Sequence, residues 1–132
     1  MKIIVDYPPV PKGRPRFTRS GIAYTPSNTR QYEDIVRLYA RTAKIHALTG
    51  DIRAVIVFYM PIPKSWSKRK KQLAVNGEIR PSVKPDLDNL CKAVLDALNG
   101  GIAYHDDKQL VELHLSKVYS DHPRTEIELE EL

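Results

Sequence analysis

The chain has 132 residues, of which 42% are hydrophobic and 28% charged, and it carries a formal net charge of +5. This composition is ordinary for a folded protein, and the length predicts one domain spanning residues 1–132. No apolar run reaches the roughly 18 residues that cross a bilayer. We do not expect residues 1–7 to be a signal peptide, because a charge comes too early and the apolar run ends too soon. The single cysteine, Cys91, excludes an internal disulfide and a multi-cysteine zinc site. We expect a cytoplasmic domain without membrane contact.

In the first half of the chain, residues 2–7 are β-branched and apolar and predict a strand. The four prolines of residues 8–15 exclude a helix there and favour an extended segment that continues into a short hairpin around Ser20-Gly21. Ser27 or Asn28 is predicted to be the N-cap of a helix that presents apolar residues at helical spacing and ends near Leu48. Residues 52–60 are the most strand-like stretch of the sequence, and Pro61 ends it.

In the second half, Ser65 opens a basic helix that reaches about Val75, and an extended segment between two prolines follows. Residues 87–99 form an amphipathic helix with Cys91 on its apolar stripe, ended by Asn99-Gly100-Gly101. Residues 110–119 and 125–129 alternate as strands, and the turn between them predicts a hairpin. The order of elements predicts an α+β fold, with a mixed sheet of about four strands covered by helices.

Charge is distributed unevenly along the chain. Residues 1–84 contain 17 Lys or Arg and 5 Asp or Glu, whereas residues 85–132 contain 4 and 11. Clusters of basic residues suit a polyanion, because each neutralised phosphate releases condensed counterion. A basic surface followed by a carboxylate cluster is typical of a metal-dependent enzyme that acts on phosphodiesters. The candidates for contacting nucleic acid are Lys12, Arg14, Arg16, Arg19, Lys68, Arg69, Lys70, Lys71 and Lys84.

The candidate catalytic residues lie around the amphipathic helix. Asp86 and Asp88 are two apart at its start, so in an extended segment their carboxylates point to the same side. Lys92 lies one helical turn after Asp88, on the same face. The pair Asp106-Asp107 follows the glycine stop, where the chain can double back toward the helix start. Carboxylates of this kind suit a hard cation such as Mg²⁺, and a nearby lysine can offset charge in the transition state.

A purely structural interpretation of the same residues stays open at this point. Asp86 or Asp88 can serve as the N-cap of the helix, where a carboxylate is favoured by hydrogen bonding and by the helix dipole. Lys92 can be an ordinary partner of an acidic residue four positions away.

The segment 84–100 reads KPDLDNLCKAVLDALNG, and residues 106–110 read DDKQL. Together they resemble the pattern of the RusA family of Holliday junction resolvases, D-x-D-N-x-x-K-x-x-x-D-A-L, a glycine-containing turn, then D-D-x-Q and an apolar residue. Residues 11–16 and 63–67 resemble the family more loosely. Many members come from phages and prophages.

The resemblance implies a small homodimer that uses Mg²⁺, with Mn²⁺ as an alternative, to cut four-way DNA junctions by paired, symmetric nicks in recombination or repair. Carried over by position, the essential carboxylates are Asp86, Asp88 and Asp107, and Lys92 is the catalytic lysine. Asp106 would be a supporting metal ligand. A dimer with twofold symmetry would present two equivalent sites to a junction with the same symmetry.

Three other interpretations compete with this one. Pro85-Asp86 with Asp106-Asp107-Lys108 also satisfies the loose PD-(D/E)xK nuclease pattern, in which Lys108 replaces Lys92. A second alternative is a branched-DNA-binding protein without chemistry; four acids near a phosphate argue against it unless a cation intervenes. His105-Asp106 matches the His-Asp pair of HD phosphohydrolases, but the other histidines are scattered.

Two further residues carry a functional and a structural interpretation. Cys91 is expected to be a packing residue and not a nucleophile. Trp66, beside the basic run, is a candidate for stacking on exposed bases, with core packing as the alternative.

Overall fold

A computed structural model of the protein describes residues 1–24 and 26–132. Within them, the elements in chain order are β1 (Lys2–Val5), β2 (Arg16–Phe17), β3 (Ala23–Tyr24), α1 (Ser27–Thr42), β4 (Ile52–Pro61), α2 (Lys68–Val75), α3 (Leu87–Leu98), a 3₁₀ turn (Asp107–Gln109), β5 (Leu110–Ser120) and β6 (Arg124–Glu131). Strands β1, β6, β4 and β5, in that order, form one mixed sheet, and β2 and β3 form a separate two-stranded ribbon. The predicted α+β class with a four-stranded mixed sheet is confirmed.

The pairing of the last two strands differs from the predicted hairpin. Strand β4 lies between them, parallel to β5 and antiparallel to β6. The chain leaves β5 at Ser120, passes the end of β4 and enters β6 at Arg124, so the short connection spans two strand spacings. The hairpin prediction was therefore wrong. Alternation and a turn show that the chain reverses, but they do not show which strand becomes the neighbour.

The sheet has one buried and one polar face. Alternate residues of β4, from Ile52 to Met60, point inward, together with Ile3 and Val5 of β1 and Ile127 and Leu129 of β6. Helices α1 and α3 pack on each other over this face, through α1 residues such as Val36 and through Leu90, Val94 and Leu98 of α3. The amphipathic pattern predicted for α3 is thus the pattern that fixes it to the sheet.

Helix α1 ends at Thr42, six residues before the predicted end. Lys44 has a left-handed backbone, with φ of 56°, and the Ile45 N–H donates to the Ala40 carbonyl at 3.2 Å. This closing turn ends a helix as a glycine usually does, here with a lysine in the left-handed position. The predicted N-cap was also wrong: the cap position is Pro26, and Ser27 is already helical.

Two smaller elements bear on the predictions. The hairpin around Ser20-Gly21 is present as β2 and β3, and Gly21 has a φ of +83° in its turn. Helix α2 begins after Ser67, whose hydroxyl accepts from the Lys70 N–H at 3.2 Å, and not at Ser65. Of the helices in the described part of the chain, none is long and apolar enough to cross a membrane.

Candidate active site

The start of α3 is held in place from below by β5. The ammonium of Lys117 donates to the carbonyl oxygens of Val83 at 2.7 Å and Pro85 at 2.8 Å, which fixes the extended segment that leads into the helix. Asp86 then takes the N-cap position by its backbone, but its side chain makes no capping hydrogen bond to the described residues. The structural interpretation is thus correct about the N-cap position, but a capping hydrogen bond does not account for this carboxylate.

One face of α3 forms the wall of a cleft. Asp88, Lys92 and Asp96 follow each other at intervals of four residues and line a cavity of about 250 Å³ between α3 and β5. Asp107 lines it as well, and Leu113 and Leu115 of β5 form its apolar side. We call this the α3–β5 cleft. The chain doubles back as predicted, and Asp88, Lys92 and Asp107 line the same cavity.

Asp106 and Asp107 have different roles: Asp106 caps the 3₁₀ turn, and Asp107 lines the cleft. The Asp106 carboxylate accepts the Lys108 N–H at 2.9 Å, and the Gln109 side chain accepts the Asp106 N–H at 3.0 Å, so the two form a capping box for the 3₁₀ turn. The Lys108 N–H, the neighbouring Asp107 carboxyl and the Lys108 charge lower the pKa of Asp106. The amide of Gln109 further donates to the carbonyls of Leu48 and Gly50. Asp106 thus shapes the turn that aims Asp107 at the cleft.

Asp86 faces a neighbouring cleft. This second cavity measures about 700 Å³ and is lined by prolines, Lys84, Arg14, Asp86 and Asn89; we call it the proline cleft. Among residues 1–24 and 26–132, no three His, Cys, Asp or Glu side chains lie together closely enough to form a ready metal cage. Asp88 and Asp107 share one cavity, and Asp86 stands beside it.

The chemistry of these donors fits a magnesium ion. In the described part of the chain, Asp86, Asp88 and Asp107 form no ion pair, and all three are exposed. Mg²⁺ is usually held by one or two carboxylates, with water and substrate phosphate completing its octahedron, so a three-ligand protein cage is not required. Two free carboxylates on one cavity satisfy this need.

Asp96 occupies the centre of a network of charges that sequence reasoning missed. Its carboxylate lies 3.5 Å from the Lys92 ammonium and 3.1 Å from the Lys12 ammonium. Lys12 also binds the buried Glu33 of α1 at 2.7 Å, and Arg37 binds the other oxygen of Glu33. The spacing 88, 92, 96 on one helix face is the signal that could have identified Asp96 as a residue of the cleft.

The network changes the interpretation of Lys12. Burial lowers the pKa of its ammonium, but the hydrogen bonds to Glu33 and Asp96 outweigh this and raise the pKa overall. Only 18% of the side chain is exposed. Its charge is satisfied by two carboxylates, which argues against the predicted role in holding DNA phosphate and favours a role in fixing α1, α3 and the proline segment to one another.

Comparison with known proteins places these features in a family. The chain matches the family of endodeoxyribonuclease RusA over residues 6–130. The chain belongs to the RusA endodeoxyribonuclease family. It is also 39% identical, over 138 aligned positions, to the uncharacterized protein YqaN of Bacillus subtilis strain 168, an alignment that covers all of this chain and 96% of YqaN. The predicted family is confirmed, and the family is one of nucleases that resolve Holliday junctions.

Within this RusA-family fold, Cys91 is a packing residue. It is buried against the core on the apolar side of α3. Burial, followed by the negative charge of Asp88, raises the pKa of its thiol to about 11. A thiol that stays protonated near neutral pH is a poor nucleophile. The expected structural role is consistent with both observations.

The predicted basic residues fall in three places. Arg14, Arg16 and Arg19 are exposed on and beside the β2–β3 ribbon, and Lys84 lies at the proline cleft. Lys68, Arg69 and Lys70 form the first turn of α2, where the helix dipole disfavours positive charge, and Lys71 follows. A bound anion would offset the unfavourable interaction between these positive charges and the positive end of the helix dipole.

Trp66 and Lys108 are the two remaining residues from the sequence interpretation. The Trp66 ring is half-buried, packs edge-on against Tyr119 at 5.3 Å and carries the Lys70 ammonium over its face at 4.1 Å. These contacts favour packing over stacking on bases. Lys108 lies in the exposed 3₁₀ turn and not on a strand, which argues against the PD-(D/E)xK interpretation.

Proposed function

We propose that this chain is a Mg²⁺-dependent endonuclease that cuts four-way DNA junctions by paired, symmetric nicks. The observation that carries the proposal is the α3–β5 cleft, where Asp88, Asp107 and Lys92 share one cavity and the two carboxylates form no ion pair with any described residue. Carboxylates that line one cavity without a basic partner are suited to a divalent cation that compensates their charge.

The metal would be held by Asp88 and Asp107, with Asp86 contributing from the adjacent proline cleft. When bound, Mg²⁺ supplies Lewis-acid polarisation of the scissile phosphate and lowers the pKa of a coordinated water. Mn²⁺ is expected to substitute, because it accepts the same oxygen ligands. Asp106 acts through the turn geometry, since its carboxylate is committed to the Lys108 N–H.

Lys92 is the residue that would meet the reacting phosphate. Its side chain is 62% exposed within the cleft, and its ammonium carries three donors for the negative charge that develops on the phosphate oxygens. Asp96, held in turn by Lys12, positions that ammonium along the wall of the cleft. Lys92 has access to substrate because Asp96 restrains it without burying it.

The DNA backbone would be held by the exposed basic residues around the two clefts. Arg14 and Lys84 line the proline cleft beside Asp86, so a phosphate bound there lies next to the proposed site. Helix α2 provides Lys68, Arg69, Lys70 and Lys71 as a second point of attachment. Such contacts are independent of sequence and weaken steeply with salt.

Paired nicks require two active sites at fixed separation. A homodimer with twofold symmetry meets that requirement, because a four-way junction presents two equivalent strands related by the same symmetry. The proposed assembly is therefore a homodimer with one α3–β5 cleft in each protomer.

The test is cleavage by the purified protein of a mobile four-way junction and of a linear duplex with the same sequence, each with Mg²⁺ and with a chelator. The proposal expects nicks in two opposing strands of the junction when Mg²⁺ is present and none with the chelator. Little cleavage of the duplex is expected under either condition. Tight junction binding with no cleavage in either Mg²⁺ or Mn²⁺ would contradict it and favour a non-catalytic branched-DNA-binding protein.

A further inference from the structure

The β2–β3 ribbon is an exposed hairpin with an ordered turn. Arg16 pairs with Tyr24 and Phe17 with Ala23. In the turn, the Thr18 N–H donates to the Ile22 carbonyl and the Gly21 N–H donates to the Thr18 carbonyl, both at 2.9 Å. Every described side chain from Arg14 to Tyr24 is exposed. The Thr18 hydroxyl also accepts the Ile22 N–H at 3.2 Å, so the hairpin is held by its own hydrogen bonds and contributes no side chain to the core.

Large apolar side chains are concentrated on this hairpin. The exposed fractions are 69% for Phe17, 64% for Ile22 and 46% for Tyr24. A two-stranded ribbon of this length is marginal by itself, and large apolar side chains this exposed on both of its faces are available to a partner that binds the ribbon. Burying two aromatic rings on a partner would recover the free energy that their exposure forgoes.

The charges around the aromatic residues indicate what that partner is. Arg14, Arg16 and Arg19 flank Phe17, and the sequence contains no Asp or Glu between Asp6 and Glu33. Arginines with interleaved aromatic rings bind nucleic acid, since guanidinium groups hold phosphates and rings stack on bases. A protein partner would need an acidic surface as long as the hairpin to match these arginines. The phosphate backbone of DNA carries negative charge along its whole length.

The two faces of the hairpin have different chemistry. Because directly paired residues share a face of a ribbon, Arg16 and Tyr24 lie on one side and Phe17 and Ala23 on the other. Arg16 and Tyr24 together can hold a phosphate and the base attached to it. Phe17, beside the small Ala23, is free to enter a gap between bases.

The base of the hairpin is fixed beside the proposed active site. The Gly13 N–H donates to the Thr29 hydroxyl at 2.9 Å. A Cβ at Gly13 would meet that hydroxyl and the Pro26 ring at 2.9 Å, so only glycine allows this approach. Arg14, the next residue, lines the proline cleft with Asp86. DNA that contacts the hairpin is thus led to the clefts.

We infer that this hairpin inserts Phe17 between unstacked bases at a DNA branch point, while Tyr24 and the three arginines hold the adjacent strand. The inference rests on the proposed function in one respect, the identity of the ligand as branched DNA. Bases at the crossing point of a junction are the least costly to unstack, because fewer stacking partners are lost there.

The experiment uses a four-way junction with 2-aminopurine at the crossing point, the full-length protein, and a chelator so that no cleavage occurs. Fluorescence reports unstacking of the labelled base, and titration gives the affinity. A linear duplex with the same label and a single strand are the reference arms. Wild-type protein is expected to raise the fluorescence of the junction and not that of the duplex.

Phe17→Ala is expected to abolish most of the fluorescence increase and to weaken junction binding about tenfold, the range for loss of one stacked ring. Phe17→Trp should retain both. Tyr24→Ala should weaken junction binding as well. Leu38→Ala is the matched control, because Leu38 of α1 is exposed to 58% and lies outside the hairpin.

Any one of the following results would overturn the inference. One is a Phe17→Ala variant with affinity within about twofold of wild type and an unchanged signal. A second is a fluorescence increase of equal size on duplex. The third is a Phe17→Ala effect that disappears once a change in oligomeric state, measured by sedimentation, is corrected for. A wild-type protein that raises junction fluorescence but fails to cleave with Mg²⁺ would contradict the proposed function and support the hairpin inference. Cleavage without any fluorescence change would do the reverse.

Discussion

Two groups of acidic residues on this chain lie in opposite circumstances. On the outer face of the sheet, Glu112, Glu126 and Glu130 are each bound by a basic side chain: Arg53 pairs with Glu112 and Glu130, and Arg124 and Lys2 pair with Glu126. Around the α3–β5 cleft, Asp86, Asp88 and Asp107 form no ion pair with any described residue.

The contrast separates the acidic side chains that form ion pairs within the fold from those that remain available to a ligand. Arginine hydrogen bonds lower the pKa of both Glu112 and Glu126, so these carboxylates are already compensated within the chain. The cleft aspartates have no such compensation, although two lysines lie close by, because Asp96 engages both. Total acidic content therefore says less about function than the number of acids left without a partner.

The sharpest way to break this comparison is to neutralise one carboxylate in each group. Asp88→Asn or Asp107→Asn is expected to reduce Mg²⁺-dependent junction cleavage at least 1,000-fold, or about 4 kcal/mol in activation free energy. Junction binding measured with a chelator should be retained or tighter, because a negative charge near phosphate is removed. Glu112→Gln is the matched control on the outer face and should cleave like wild type. Cleavage by Asp88→Asn within about tenfold of wild type would contradict the account.

The next largest effect on the cleavage rate is expected from Lys92, and Lys108 is the lysine to compare with it. Lys92→Ala is expected to lower the cleavage rate about 100-fold, typical for removal of one group that stabilises transition-state charge. Lys108→Ala should have little effect, since its side chain lies in the exposed 3₁₀ turn. Single-turnover rates on the junction would decide between them. The opposite ranking would restore the PD-(D/E)xK interpretation with Lys108 as the catalytic lysine.

Lys12 and Lys2 allow the contribution of ion pairs to the free energy of unfolding to be compared at a part-buried and at a more exposed site. Lys12→Ala leaves the buried Glu33 and half-buried Asp96 without their shared partner, and should lower the free energy of unfolding by about 2 kcal/mol. Lys2→Ala removes the pair that the exposed Lys2 makes with Glu126, which keeps its bond from Arg124, and should cost less than about 1 kcal/mol. Urea denaturation measures both. Adding Glu33→Gln to Lys12→Ala should recover part of the loss. If Lys12→Ala left the stability unchanged and weakened DNA binding, Lys12 would instead be a residue that contacts DNA phosphate.

The smallest effect concerns acid. The hydrogen bond from Arg124 lowers the pKa of Glu126 below its usual value of 4.5. A lowered pKa stabilises the fold above pH 4.5, and this stabilisation is lost as pH falls through the folded-state pKa. Glu126→Gln should therefore cost up to about 1 kcal/mol near neutral pH and progressively less as the pH falls below 4.5. A difference from wild type that grows on acidification would show that the pairing is wrongly assigned.

Local patterns in the sequence predicted the local elements well. The apolar stripe of α3 and the motif around Asp86 and Asp88 gave the helix within one residue, because amphipathic spacing and a glycine stop are local signals. The end of α1 was missed since Lys44, and not Gly50, adopts the left-handed conformation that closes the helix.

Long-range relations could not be predicted in the same way. The insertion of β4 between β5 and β6 depends on pairings with residues about 60 to 80 positions away, which alternation does not encode. Lys12 belongs by sequence to a basic cluster, but its partners Glu33 and Asp96 come from two different helices. The sequence also contained Asp96 at the correct spacing, and its role became visible only with both lysines in place.

The central claim is that the unpaired carboxylates of the α3–β5 cleft bind a divalent cation. The most direct test is titration of the purified protein with Mn²⁺, with free Mn²⁺ followed by electron paramagnetic resonance. Wild type and Glu112→Gln are expected to bind Mn²⁺ with equal affinity, and the Asp88→Asn, Asp107→Asn double variant at least tenfold more weakly. Equal Mn²⁺ binding by the double variant and wild type would contradict the claim.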